Sequence, residues 1–309
     1  MKISRFFILF ALIIISTATL IPWKESLYGK QSTLFFIRHF WEQYKNMEAH
    51  CCNKYEKLSS YLHITLKIKA PQPDRSYGPT TNDHILGFDV TFYDYRSLCY
   101  LYREIFLDEI YFFQTNNPQP FIIDCGSNIG MTVLYFKKLY PQSRILAFEP
   151  AKSNYALLEK NVTNNNLNDI SLIKKALFNK TDSLKLYEPG STAGTIQDTL
   201  ARQADYEIVE TTPLSSYIDQ KVDFLKLDIE GSETVVLEEL AEKNKLKFIE
   251  EIIMEFHYNN QSNNNRLSTL LKILEDNHFK FLINGGSGLP FKKDTKPVIK
   301  AYYLIHAYR

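Results

Sequence analysis

The sequence predicts an α/β fold, a mostly parallel, doubly wound sheet with helices on both faces. Two observations carry this expectation. From residue 85 onward, short apolar runs alternate with segments of helical periodicity, the pattern of successive βαβ units. The first strong run, FIIDCG at 121–126, passes through a glycine turn directly into a helical segment. Sheets of this kind bind ligands outside the carboxyl ends of their strands, near the point where strand order reverses. Polar residues that follow the apolar runs are therefore the candidates for function.

The elements follow in order. Lys2 and Arg5 precede FFILFALIIISTATLIPW at 6–23, eighteen uncharged residues. As a helix they span about 27 Å, close to the roughly 30 Å hydrocarbon core of a bilayer. The run is longer than a usual signal-peptide core, which favours a retained signal anchor over a segment cut near Ser16-Thr17-Ala18. Residues 1–23 are thus expected to form a membrane helix that localises the chain to a membrane. Lys and Arg on both flanks leave its orientation open. Residues 24–84 mix aromatic and charged residues at helix-like spacing, a helical stalk or cap, and end in a linker at 70–83 rich in Pro, Gly and Asp. Residues 85–309 form the α/β domain.

Within that domain, strands are predicted at 121–126, 144–150, 171–178, 222–230, 248–257, 280–285 and 298–308, with further candidates at 183–188 and 206–211. Helices are predicted at 129–140, 153–166, 232–240 and 265–277. No repeat of solenoid period is present.

Composition narrows the function classes. The chain has 309 residues, 45% of them hydrophobic and 23% charged, with a formal net charge of +1. That balance gives no electrostatic case for a nucleic-acid partner. Cys51, Cys52, Cys99 and Cys125 have no zinc-type spacing, and adjacent Cys51 and Cys52 are poorly spaced for a bond with each other. Sequons at Asn161, Asn179 and Asn260 weigh little in a chain this rich in asparagine.

Three stretches carry chemistry. In DCGSNIG, Gly126 permits a tight turn after Asp124, and Gly130 permits close approach of helix or ligand, with Asn128 between them. The spacing lacks the second glycine of G-x-G-x-x-G, which argues against a nicotinamide-dependent oxidoreductase. Glu149 ends the second strand about 20 residues on, where a carboxylate accepts hydrogen bonds from ribose hydroxyls. The stretch DFLKLDIEGSE at 223–233 sets charges at Lys226, Asp228 and Glu230 on a strand that should be apolar on both faces. Either Lys226 forms a structural ion pair with a carboxylate, or the strand's end lines a polar cleft. Gly231 then turns the chain, and Ser232 can cap the next helix. Strand five adds Glu255 and His257 on one face.

These stretches resemble the FkbM family of S-adenosylmethionine-dependent methyltransferases. The matching segments are LYREIFLDEIYFF (101–113), 121–150, LIKKALF (172–178), FLKLDIEGSE (224–233) and IIMEFH (252–257), and the D-I-E-G-x-E block is the specific part. The resemblance implies a class I methyltransferase (Rossmann-like) fold, a seven-stranded sheet with its last strand antiparallel. It implies methylation of a hydroxyl, commonly on a sugar, glycan or other small-molecule acceptor. By position, Asp124, Gly126, Asn128 and Gly130 would frame the methionine part of S-adenosylmethionine, Glu149 the ribose, and Lys175 with Ala176 the adenine. Asp228, Glu230 and His257 would face the acceptor. His257 has the ordinary pKa best suited to a general base, with Asp228 as alternative base or orienting group. A hard divalent cation on Asp228, Glu230 and Glu255 is the less favoured alternative, so no metal ligand is assigned. Cys125 departs from the expected small residue and is read as inert. A catalytically silent binding protein on the same scaffold remains the competing class.

Overall fold

The computed structural model describes residues 49–68, 80–187, 206–259, 266–285 and 300–309. The proposed anchor at 6–23, residues 24–48 of the predicted stalk, residues 70–79 of the linker, and Asn260 lie outside the described residues; 81–83, read from sequence as linker, begin a strand. Among the described residues no helix is long and apolar enough to cross a membrane.

Two units are distinguished, Met1–Phe88 with Phe92–Ile110, and Asp89–Thr91 with Tyr111–Arg309. In the first, α1 (Lys54–Lys67) starts at Asn53, whose side chain accepts the Glu56 N–H at 3.0 Å. A two-stranded sheet, β1 (Thr81–Ile85) and β2 (Phe88–Phe92), turns through Leu86 and Gly87, both at positive φ. The sequence carried no Asn-Gly or Asp-Gly signal for this hairpin. α2 (Tyr95–Tyr102) is capped by Asp94 and continues into a π-helical turn at Arg103–Leu107. Tyr102 stacks on Phe106, and its hydroxyl donates to the Lys57 carbonyl. Lys57 is itself fully buried and pairs with Glu109 at 2.8 Å.

The second unit is built on β3 (Phe121–Cys125), β4 (Arg144–Phe148), β5 (Ile170–Ile173), β6 (Ala176–Leu177), β7 (Ser183–Tyr187), β8 (Tyr206–Thr212), β9 (Phe224–Leu227), β10 (Glu251–Asn259), β11 (Lys280–Gly285) and β12 (Lys300–Tyr308). Its helices are α3 (Met131–Leu139), α4 (Lys152–Asn164), α5 (Glu233–Glu242) and α6 (Leu267–Asp276). Seven strands form one sheet in the order β11-β12-β10-β9-β3-β4-β5. β5, β4, β3, β9 and β10 are parallel, and β12 runs antiparallel to both β10 and β11. The last strand is thus the antiparallel one, and the order reverses between β3 and β9.

Two strands end earlier than their apolar patterns suggest. The run at 171–178 splits: β5 stays in the main sheet, and β6 leaves it to pair with β8 in a three-stranded sheet with β7. The run at 222–230 is a strand over Phe224–Leu227 alone, because the chain turns at Asp228, with Glu230 and Gly231 at φ 53° and 107°. The core fills both faces of the central strands. Ile123, Leu225, Leu227, Ile252, Met254 and Phe256 are wholly buried there, each worth about 1.5–3 kcal/mol of apolar burial.

Asn161 is removed as a glycan acceptor. It is fully buried, its Oδ1 accepts the Thr91 N–H at 2.7 Å, and its Nδ2 donates to the Thr91 and Ile129 carbonyls. Asn179 is exposed.

Candidate active site at the carboxyl ends of the strands

The parallel register explains the charged strand. Asp124 on β3 is the lateral partner of Lys226 on β9, so both side chains stand on one face of the sheet. Lys226 Nζ lies 3.4 Å from Asp124 Oδ1 and 3.4 Å from Asp228 Oδ2. It also donates to the carbonyls of Cys125 (3.3 Å) and Gly126 (3.0 Å). Burial would lower its pKa, but Asp228, Asp124 and Glu255 outweigh that and hold it well above the ordinary lysine value. Asp124 is fully buried and accepts the Thr132 hydroxyl at 2.5 Å. The ion-pair reading of the strand is therefore realised: Lys226 pairs with Asp124 and with Asp228, whose side chain is 25% exposed just past the end of β9.

The glycine turn is folded against this pair. Gly126 has φ 85°, and a Cβ there would lie 1.8 Å from the Asp228 carbonyl oxygen. Only glycine allows the turns after β3 and β9 to touch. Gly130, at φ 90°, starts α3, and a Cβ there would meet Leu158 Cδ1 at 2.8 Å. Gly126 and Ser127 both donate their N–H groups to the Phe148 carbonyl at the end of β4. Asn128, at φ 51°, donates its N–H to Glu149 Oε2 at 2.9 Å, and Glu149 Oε1 accepts the Ala151 N–H at 2.9 Å. Burial pushes the Glu149 carboxyl up to about 7 against the pull of those two N–H groups and Lys226. Glu149 thus joins the glycine turn to the end of β4.

Ala176 is buried on β6 beside Ala151, Leu186 and Val209. This cluster forms a small apolar core of its own, and Ala151 in it donates its N–H to Glu149. Lys175 next to it pairs with Glu210 at 3.2 Å. Cys125 is fully buried, and burial drives its thiol well above the ordinary value, as an inert residue requires.

Near the ends of β9 and β10 the residues Asp228, Glu230 and His257 converge. His257 Nδ1 lies 3.1 Å from Glu233 Oε1, and its Nε2 lies 3.4 Å from Glu230 Oε2. Burial alone would lower the imidazole, but the Glu233 hydrogen bond and the charges of Glu233, Glu230 and Asp228 raise it to about 10. At neutral pH His257 is a cation, not the free base that its ordinary pKa suggests. Glu230 is pushed up to about 8 by burial, with Asp228, Glu233 and Glu255 adding to the rise and His257 opposing it.

Two residues enter the site that sequence reasoning did not assign. Tyr111 is buried, donates its hydroxyl to Glu255 Oε1 and, at 3.4 Å, to Asp228 Oδ2, and sets its ring 5.0 Å from Lys226 Nζ. It lies in the 101–113 stretch that carried the resemblance, but nothing local marks it. Glu233, which falls within the helix predicted at 232–240, is fully buried and also accepts the Gly231 N–H at 2.9 Å. Ser232 precedes α5 but makes no capping hydrogen bond with its side chain. Asp228, Glu255 and His257 bring one ligand atom each to within 4.8 Å of one another, the spacing of a cation site. Lys226 and protonated His257 already supply positive charge there.

The family model "Methyltransferase FkbM domain" matches residues 124–281, just over half of the chain. Methyltransferase 1 of Beauveria bassiana (strain ARSEF 2860) is 27% identical over 230 residues, covering 67% of this chain and 88% of that protein. Methyltransferase sdnD of Sordaria araneosa is 30% identical over 180 residues, covering 47% of this chain and 70% of that protein. The crystal structure of methyltransferase FkbM from Methylobacillus flagellatus KT is similar at 13% identity with a TM-score of 0.42, covering 90% of this chain and 60% of that one.

Proposed function

The chain belongs to the methyltransferase FkbM family and is an S-adenosylmethionine-dependent methyltransferase; from that premise we propose that it methylates a hydroxyl oxygen of a sugar or glycoconjugate. The observation that carries this reading is the placement of Glu230, a partly buried carboxyl 3.4 Å from His257 Nε2 and close in chain to Asp228, where burial raises its pKa to about 8. A base that removes a proton from an alcohol works best with a pKa near the operating pH. His257 would have been that base as a neutral imidazole. Held as a cation by Glu233, it instead orients Glu230 and steadies its ionised form. Asp228 and Glu255, fixed by Tyr111 and Lys226, offer carboxylate oxygens to the other hydroxyls of a polyol acceptor, which supports the sugar class.

S-adenosylmethionine supplies a methyl group on a sulfonium, poised for displacement by an oxygen. The residues present fit it. Gly126 and Gly130 hold the turn after β3 tightly against Asp228 and Leu158, Glu149 has lone pairs for two ribose hydroxyls, and Ala176 gives an apolar edge. The protein's own part is alignment and proton removal. We place the reaction at a membrane held by segment 6–23, a reading supported by the length of that apolar run. Removing residues 1–23 is then expected to release the protein from membranes; unchanged partition would remove this part.

The test uses the full chain in detergent. Calorimetry should give binding of S-adenosylhomocysteine but not NAD, weakened by Glu149→Ala. Binding of NAD instead would return the oxidoreductase reading. With a glycan acceptor found by screening, Glu230→Gln should lower turnover about 100-fold or more with cofactor affinity within about twofold. Equal losses in both would sink the base assignment, and no acceptor-dependent turnover would favour the silent scaffold.

A further inference from the structure

Cys51 and Cys52 stand before α1, outside the methyl-transfer chemistry. Their Sγ atoms are 3.3 Å apart. In an extended chain, neighbouring side chains point to opposite sides; the bend at 50–52 instead brings both sulfurs together. The bend is held from behind. The backbone N–H groups of His50 and Cys51 both donate to Glu109, at 3.3 and 3.2 Å, and buried Lys57 fixes that carboxylate. Cys52 is partly exposed and Cys51 is 9% exposed. Cys99 is placed beside Thr65, at 4.0 Å from its hydroxyl.

We propose that Cys51 and Cys52 are a modification site, a vicinal dithiol that closes to a disulfide by exchange with a low-molecular-weight disulfide such as oxidised glutathione. The sequence argument against pairing was that adjacent Cα atoms, about 3.8 Å apart, sit closer than the roughly 4.4–6.8 Å of ordinary disulfides. With the sulfurs already in contact, that shortfall sets the lability of the bond and not whether it forms. A strained, accessible disulfide is readily reduced, so the site is reversible. The thiolate of Cys52, the more accessible sulfur, attacks one sulfur of the glutathione disulfide, and a glutathione thiolate leaves. The Cys51 sulfur then attacks Cys52 Sγ, the second glutathione leaves as a thiolate, and it takes the Cys51 proton. Two protein thiols lose two electrons and one disulfide becomes two thiols. The hydrogen bond to Cys52 and burial push the Cys51 thiol upward, so Cys51 by itself reacts slowly and serves as the resolving sulfur.

The experiment treats the reduced full chain in detergent with oxidised glutathione, quenches in acid with N-ethylmaleimide and weighs the tryptic peptide 46–54. The expected result is a peptide lighter by two hydrogens that takes up no alkyl group, and takes up two after dithiothreitol. Cys51→Ser should trap a glutathione adduct on Cys52. A wild-type peptide that keeps two alkylatable thiols, stays glutathionylated, or bonds to Cys99 or to a second chain would overturn the proposal. The wild-type measurement decides this even where the variant fails to fold.

Discussion

Replacing Lys226 with Met probes the junction between the cofactor turn and the acceptor face. Methionine keeps most of the volume and removes the charge. Lys226 is 1% exposed and Asp124 is 0% exposed, so the change strands Asp124 as a buried carboxylate with Thr132 as its remaining hydrogen-bond donor among the described residues. It also takes the donor away from the Cys125 and Gly126 carbonyls. Breaking a buried ion pair from one side costs about 3–5 kcal/mol. For a unit of this size about 1 kcal/mol corresponds to roughly 2–4 °C, so the melting temperature should fall by about 6–20 °C. Much of that loss is the stranded charge and not the missing attraction. Lys226→Met with Asp124→Asn should therefore recover more than about 1 kcal/mol relative to the single change. Urea unfolding followed by far-ultraviolet circular dichroism measures both. A single variant that loses less than about 1 kcal/mol, or a double variant no more stable than the single, would refute the reasoning.

Two further predictions follow from the same geometry. Gly126→Ala forces a Cβ to within 1.8 Å of the Asp228 carbonyl at a left-handed φ. Strain of about 1–2 kcal/mol and displacement of the turn should abolish S-adenosylhomocysteine binding by calorimetry, and retained affinity would contradict the close approach. The pKa values of Glu149, Glu230 and His257 are raised in the folded state, to about 7, 8 and 10 from 4.5, 4.5 and 6.5. Their stabilisation is complete below the unfolded values and is lost as pH rises through the folded ones. Melting temperature should therefore decline from about pH 5 toward pH 9, and Glu149→Gln should flatten the part below pH 7. A rise across this window would show that the groups are not protonated more readily in the folded chain.

The order of elements was legible because hydrophobic period is a local property. The alternation from 121 onward gave the strands and helices of the main sheet, and glycine placement gave the turn after β3. Asp124, Gly126, Asn128, Gly130, Glu149, Asp228, Glu230 and His257 were findable because each lies at or just past the end of an apolar run. The sites of strand termination were less legible. A run such as 171–178 does not say that the chain leaves one sheet for another at residue 174, since both environments bury apolar side chains.

The sequence by itself determined the fold class, the family and the set of polar residues at the strand ends, since these follow from local pattern and motif. Tertiary structure alone decided what those residues are. Parallel register made Lys226 the partner of Asp124, and contact between two turns made Gly126 obligatory. Tyr111 reached Asp228 across 117 positions. The protonation states were decided in the same way. His257 and Glu230 depart from their ordinary values because of burial and of charges brought near in space, and neither distance nor burial is written in the neighbouring sequence.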